Sequence, residues 1–482
     1  MSRMMGTLGF SANAVVANKS VTIQRLTSEM SDCLKDLNYS TDNDLIRNWA
    51  DLIYGSMVGT SRSFHRVHHV FDISEGLDSI QKLAAYFHDI VYYSIDGGLN
   101  QQYHVALLND TIIEEDGKVY LTSNPLDTDT EMVIDVFGFH HGQILNPYSG
   151  MNELLSAIIA IRCCQAVLQP KDLVALAAHI ELTIPFRPVD ESGRDAPTRL
   201  FDRLKGVNDK YKLEMSEDAM VTLVKSAVNL SNCDVGNFAS PNHALFLSNT
   251  WELFPESNLP LRPIGGNYYV SDYLMALKKM SNFFHNLDPE VIFGSFKADN
   301  DELVDLRKKT ELARENIRVG LAYMKCKQLG SGVVLAVAIL TGGDAPLSEM
   351  IGELVDCSGE DGCKVSSELD KLVDGLNIYG DLSIDEKVFR LLRDGREKKS
   401  TFDIKTSPIS ARLYASIGNN DLEIFLNFVQ FPMDKSCAEQ LLKSIPRGVR
   451  HDVMSTCSRI SETRKDAILN LMNDLEDVRQ VR

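Results

Sequence analysis

Residues 62 to 93 read RSFHRVHHVFDISEGLDSIQKLAAYFHDIVYY. At about 100° per helical residue, His65, His68 and His69 share roughly a third of one face, so their imidazoles are expected to converge on one point. His88 and Asp89 close a second, apolar segment, LAAYF, that should be buried. A carboxylate there loses its hydration and is costly to bury without a partner, and a divalent cation would supply one. The competing reading, histidines that complete a helical core, has to bury these imidazoles and an adjacent Asp without a cation.

The stretch resembles the metal-dependent HD superfamily of phosphohydrolases, whose pattern is a His, an adjacent His-Asp pair and a distant Asp, all on helices. One branch carries a tyrosine-His-x-x-x-His run and a phenylalanine-His-Asp-x-x-Tyr run. This chain has Phe64-His65-Arg66-Val67-His68-His69, with Phe64 in place of the tyrosine, and Phe87-His88-Asp89-Ile90-Val91-Tyr92. The resemblance implies that His69, His88 and Asp89 are metal ligands and that His65 contacts phosphate or supports a ligand. Asp234, beyond a long apolar helix in Asn232-Cys233-Asp234-Val235, is similar to the terminal Asp of the pattern, with a C-capping Asp as the alternative. The branch has an Asn-Glu pair in the loop after the His-Asp, where this chain has Asn100-Gln101.

On the N-terminal side, residues 21 to 58 repeat apolar positions at helical spacing (Ile23, Leu26, Met30; Ile46, Trp49, Ile53) and should pack beside the metal helix. On the C-terminal side, SIDGGLNQQY is a loop, a helix is expected from about Tyr103 to Ile113, and EEDGKVYLTSNPLDTDT is a turn-rich connection. The next helix ends near His140 and His141. They either complement its dipole or hold a second metal, as vicinal histidines do in binuclear members of the superfamily. Residues 152 to 168 form an apolar helix in which Cys163 and Cys164 are core residues. A further helix stops before Pro185, leaving Arg187 either as a phosphate clamp or paired with a neighbouring carboxylate. Ser216 caps the helix that runs into Asp234.

Residues 241 to 268 hold four prolines and a Gly-Gly and read as loop, with Trp251 and Glu252 at a pocket mouth or a subdomain joint. Helices are expected over 269 to 287 and 300 to 328, with Gly330-Ser331-Gly332 and Thr341-Gly342-Gly343-Asp344 punctuating the chain after them. The expected architecture is all-α. Residues 1–58 are helices packing on the core, 59–300 the HD-like domain, 301–346 a long helix with a Gly-rich connection, and 347–482 a helical appendage.

A net charge of −18 argues against general nucleic-acid or anionic-membrane binding. Nine cysteines without a CxxC pair favour a reducing compartment over a disulfide framework or a zinc ribbon. The longest apolar run, GVVLAVAIL at 332 to 340, falls far short of the roughly 20 residues that cross a bilayer. A cytoplasmic protein is expected, although export by a non-classical route would leave the same features.

Mixed nitrogen and oxygen ligation suits Mn, Fe, Co, Ni or Zn better than Mg. The resemblance implies a phosphate-ester substrate, a nucleotide or cyclic nucleotide, cleaved by phosphohydrolase or phosphodiesterase chemistry in which the cation acidifies water and polarises the phosphoryl group. His65, His68 or His104 would protonate the leaving group or steady the phosphate. The alternative is a catalytically silent HD-fold module that binds a protein partner, or a second copy, through its C-terminal helices.

Overall fold

The structure, a computed structural model, describes residues 7–262, 267–352, 367–376 and 383–477. It is 66% helical and 3% strand, an all-α fold. The chain divides into two compact units, residues 1–236 with 290–310 and residues 237–289 with 311–482, in place of the boundaries expected at 58, 300 and 346.

The first unit begins with α1 (Thr7–Asp36), α2 (Asn43–Met57), α3 (Val67–Ser74) and α4 (Ser79–Phe87), followed by the short α5 (Tyr93–Asp96) and α6 (Val105–Leu108). A hairpin of β1 (Ile112–Glu115) and β2 (Lys118–Leu121) leads to α7 (Thr128–Phe137) and β3 (Ile144–Leu145). Then come α8 (Met151–Cys164), α9 (Pro170–Leu182), α10 (Ala196–Tyr211) and α11 (Glu217–Asp234). Side chains define the helix starts. Asp78 and Gln81 form a reciprocal capping box at α4, and Ser216 accepts the Ala219 N–H at the start of α11, as its position leads one to expect.

The centre of this unit is α8 against α9. Leu154, Leu155, Ile158, Ile159 and Ile161 of α8 are buried, as are Leu176, Ala178 and Ile180 of α9. Neither helix has a polar face, which is the pattern of a helix packed on all sides, and α9 touches α4, α7, α8 and α11. Burial pushes the Cys163 thiol up to about 12, in keeping with a packing role.

The helix expected from Tyr103 to Ile113 is cut to Val105–Leu108, and the connection after it is a hairpin. Thr111, Ile112 and Ile113 are β-branched and favour strand. Asp116 and Gly117, at φ 50° and 70°, make the tight turn that sets Ile113 opposite Tyr120. On the other edge, β3 sets Leu145 opposite Val119.

The second unit holds α12 (His243–Ser257), α13 (Val270–Asn286), most of α14 (Asn300–Leu340), α15 (Leu347–Ile351) and α16 (Ser367–Asp370). It continues through α17 (Glu386–Asp394), α18 (Pro408–Leu426), α19 (Lys435–Ser444), α20 (Arg447–Ile460) and α21 (Lys465–Asp477). Two expectations are corrected here. Residues 243–257 are helix rather than loop: Asn242 caps the start, accepting the Ala244 and Leu245 N–H groups, and Pro255 falls only in the last turn. Gly330-Ser331-Gly332 lies inside α14 rather than ending it. A Cβ on Gly332 would lie 2.8 Å from the Val429 methyls, and one on Gly330 would collide with Ser410, so these glycines admit neighbours. By length and composition α14 is long enough to cross a membrane, but its most apolar window is 78% buried, as in a core helix.

Trp251 lines no pocket mouth. It is buried, stacked on Phe254 with centroids 4.5 Å apart, and Glu252 follows it, half-buried. The Trp251 indole N–H donates to Asp403 Oδ2 at 2.8 Å, as does the Tyr273 hydroxyl at 2.8 Å. Lys327 Nζ and Arg396 Nη1 reach the same oxygen at 3.0 Å and 3.1 Å. Burial would raise the Asp403 pKa, but these two cations hold it below the ordinary value. Removing one partner of a buried ion pair strands the others, at a cost of about 3–5 kcal/mol. Asp403→Ala is therefore expected to lose about that much stability in chemical denaturation, and a loss under about 1 kcal/mol would contradict the account.

Candidate metal centre

Three helix ends bring four side chains together. Arg66 is extended, at φ −104° and ψ 168°, and α3 starts after it, which puts His69 in the first turn. His88 is the C-cap residue of α4, its N–H bonded to Ala84 O at 2.9 Å, and Asp89 follows it. Asp234 is the last residue of α11. One donor atom from each of His69, His88, Asp89 and Asp234 lies within 4.8 Å of every other.

The distances fit a small cation. His69 Nε2 stands 2.9 Å from Asp234 Oδ1 and 3.8 Å from Asp89 Oδ2. His88 Nε2 stands 3.0 Å from Asp89 Oδ2 and 3.4 Å from Asp234 Oδ1. Metal–ligand bonds of about 2.0–2.2 Å put neighbouring donors about 3.0 Å apart on an octahedron and about 3.4 Å apart on a tetrahedron.

The protonation pattern also fits. His88 Nδ1 lies 2.8 Å from Ala85 O, and a carbonyl only accepts, so Nδ1 carries a hydrogen and Nε2 is the nitrogen available to a cation. Nε2 is buried and makes no hydrogen bond. Burial alone would lower the His88 pKa, but the Asp89 and Asp234 charges outweigh it and hold the imidazole well above its ordinary value. Burial would likewise raise the two carboxyls, but His88 holds both well below the carboxylate range, with His69 adding to its effect at both and His65 at Asp89. The proton on His88 thus occupies the electrostatic position that a cation would take.

Several residues that no motif marks hold this arrangement. Arg62, fully buried, donates to Asp89 O at 2.6 Å, Ile90 O at 3.1 Å and both Asp96 oxygens at 3.0 Å and 2.5 Å. Its guanidinium fork fixes the backbone carrying Asp89. Ser156 Oγ accepts the Val91 N–H and Asn152 Oδ1 accepts the Tyr93 N–H, each at 3.0 Å. Between those two residues on α8 lies Glu153, whose Oε2 is buried without a hydrogen-bond partner. Burial, reinforced by the Asp89 charge, pushes its carboxyl up to about 7. None of Arg62, Asp96 and Glu153, which follows Asn152 in the first turn of α8, carried a signal in the sequence.

The other expected site residues separate. His65 precedes α3 and stays at the centre, its ring 4.6 Å from Tyr92 and 5.9 Å from His69. His68 is exposed. Helical spacing placed it with His69, but the helix begins only at Val67 and turns His68 outward. His104 is not among the four clustered side chains. It is buried, its Nδ1 accepting the Asn100 N–H at 3.3 Å and its Nε2 2.8 Å from Ser56 Oγ, whose own hydrogen goes to Leu52 O. Arg187 is no clamp. It grips Glu181, with Nη1 2.5 Å from Oε1, and Arg203 donates to the same carboxylate. His140 is exposed, and His141 bonds Thr122 O at 2.6 Å and Glu131 at 3.1 Å. Neither joins the four-residue cluster, and both lie beyond the end of α7 at Phe137.

No protein-family model, curated protein or solved structure matches the chain.

Burial, with the Arg62 charge, lowers the His104 pKa to about 4. An ordinary histidine titrates near 6.5, so between those values only the unfolded chain binds the proton and stability falls as the pH drops. The loss between pH 7.5 and pH 5 is about 2 kcal/mol. His104→Gln keeps a donor toward Ser56 and does not titrate. The stability of the wild type relative to this variant, measured by urea denaturation, should fall by about that amount over the range. A difference independent of pH would contradict the buried, neutral imidazole.

Proposed function

We propose that the chain is a metal-dependent phosphohydrolase that cleaves a phosphate ester, a nucleotide or cyclic nucleotide, with a divalent transition metal as cofactor. The observation that carries the reading is the convergence of His69, His88, Asp89 and Asp234, with one donor atom from each within 4.8 Å of every other and His88 Nε2 buried without a hydrogen-bond partner. The pattern of residues that resembles the HD superfamily supports it, because His69, His88, Asp89 and Asp234 are those the pattern nominates.

Two imidazoles and two carboxylates suit Mn, Fe, Co, Ni or Zn. A cation bound there supplies Lewis-acid activation of water and of the phosphoryl group. The chain's own residues do the rest. His69, His88, Asp89 and Asp234 hold the ion, and Arg62 keeps Asp89 in place through its carbonyl. Of the three histidines considered as acids, His65 stands at the centre, half-buried against Tyr92, and is assigned to protonate the departing oxygen. Water adds to phosphorus as the ester P–O bond breaks, and the His65 proton leaves with the alcohol.

Elemental analysis of untagged protein purified without chelator is expected to find about one transition-metal ion per chain. Asp234→Asn and His88→Ala should reduce Mn²⁺ affinity by a factor of at least about 100, and the wild type loaded with Mn²⁺ should hydrolyse members of a phosphomonoester and cyclic-nucleotide panel. Folded wild-type protein that takes up neither Mn²⁺ nor Zn²⁺ would overturn the proposal and leave a helical binding module. Uptake without hydrolysis across the panel would retain the metal site and overturn the phosphohydrolase assignment.

A further inference from the structure

The proposed cation site leaves one chemically active group unused. Glu153 lies in the first turn of α8, between the two side chains that clamp the segment after the His-Asp pair, with Ser156 on Val91 and Asn152 on Tyr93, both at 3.0 Å. Those bonds set α8 in register with the ligand segment, so Glu153 is placed by the same contacts that place Asp89. The charges its carboxyl feels are those of Asp89, His88 and Arg187, and Arg187 is already bonded to Glu181. Its Oε2 is buried and accepts no hydrogen bond.

A purely structural residue at this point would be cheaper as an amide or an alkyl chain. A carboxylate there is desolvated, repelled by Asp89 and unpartnered on one oxygen. Its one distinctive capacity is to accept a hydrogen bond next to His88 and Asp89. The protein donates nothing to Oε2, the Arg187 Nε–H included, although that group is also buried without a partner, which leaves water in the coordination shell of a cation as the donor to be tested. Resting on the metal-dependent reading above, we propose that Glu153 is a positioning residue of the cation site, its Oε2 accepting a hydrogen bond from water that the cation holds. Glu153 then orients the water for attack, and it adds negative charge near the cation without being one of the four ligands.

Loss of an outer-shell partner lowers metal affinity by a factor of about 10–100. For full-length Glu153→Gln, the Mn²⁺ dissociation constant measured by calorimetry is expected to rise by about that factor. The melting temperature of the metal-free variant should equal or exceed that of the wild type, since a buried charge beside Asp89 has been removed. A packing role predicts the reverse: unchanged affinity and a lower melting temperature. An affinity within twofold of the wild type overturns the proposal, whatever the melting temperature. Glu153→Asp, which keeps the charge but retracts the oxygen by one methylene, is the second variant. It too should weaken Mn²⁺ binding, and wild-type affinity there overturns the proposal even if the glutamine variant does not fold. Wild-type protein that binds no Mn²⁺ removes the metal-dependent reading and this one together. Normal wild-type binding matched by both variants removes only the role of Glu153.

Discussion

Two helices end against the same pair of carboxylates, and the surroundings answer to that constraint. The C-terminal end of α4 presents His88 and Asp89, and the C-terminal end of α11 presents Asp234. A helix C-terminus carries roughly half a negative charge, so two such ends and two carboxylates that are 14% and 16% exposed concentrate negative potential at one point. Withdrawing each carboxylate from water costs several kcal/mol. The Arg62 guanidinium comes close but is spent on backbone carbonyls and Asp96. The imidazoles of His69 and His88 stand within 4 Å of the carboxylates, and they balance them only when protonated. A divalent cation balances both and frees the imidazoles to act as ligands.

The interior of the first unit is suited to holding those ends still. Because α8 is apolar on every side, it can be buried whole. Its few polar side chains are then available for fixed tasks, as Asn152 and Ser156 on the N–H groups of Tyr93 and Val91 illustrate. Buried N–H groups need acceptors, and here the acceptors come from a helix distant in sequence. Arg62 performs the matching task for the carbonyls of Asp89 and Ile90. The short segment after the His-Asp pair, which is too irregular to satisfy its own backbone, is thus held from both sides by side chains that carry no metal.

What the sequence revealed follows from this division. The convergence of His69, His88, Asp89 and Asp234 was legible because helix ends fix where such side chains meet. His68 was misplaced because a periodicity argument assumes a helix under all three histidines, and the backbone is extended at Arg66. His104 looked like a candidate acid until its partners were known, since a side chain's availability depends on contacts distant in sequence. The helix over 243–257 was hidden by prolines, of which Pro255 costs little in a last turn, and by Trp251, whose reason for burial is Asp403. The glycines at 330 and 332 signalled close packing as readily as a break, and spacing alone does not separate the two. Arg62 and Glu153 were invisible because burial, not pattern, gives them meaning.

Charge arithmetic connects this centre to its proposed substrate. The whole chain carries −18, a poor environment for a phosphate ester unless the field is cancelled locally. Asp89 and Asp234 neutralise a divalent ion, leaving no net charge on the four ligands and the metal, whereas a univalent ion would leave the centre negative. In the proposed reaction the phosphate would meet His65, whose charge helps to hold the Asp89 carboxyl below its ordinary value. Attraction from one imidazolium at roughly 4 Å is worth a few kcal/mol in a partly buried site. It is strongest when His65 is protonated, the same state that supplies the proton for the departing alcohol. In that proposed reaction, binding and bond cleavage make the same demand on His65.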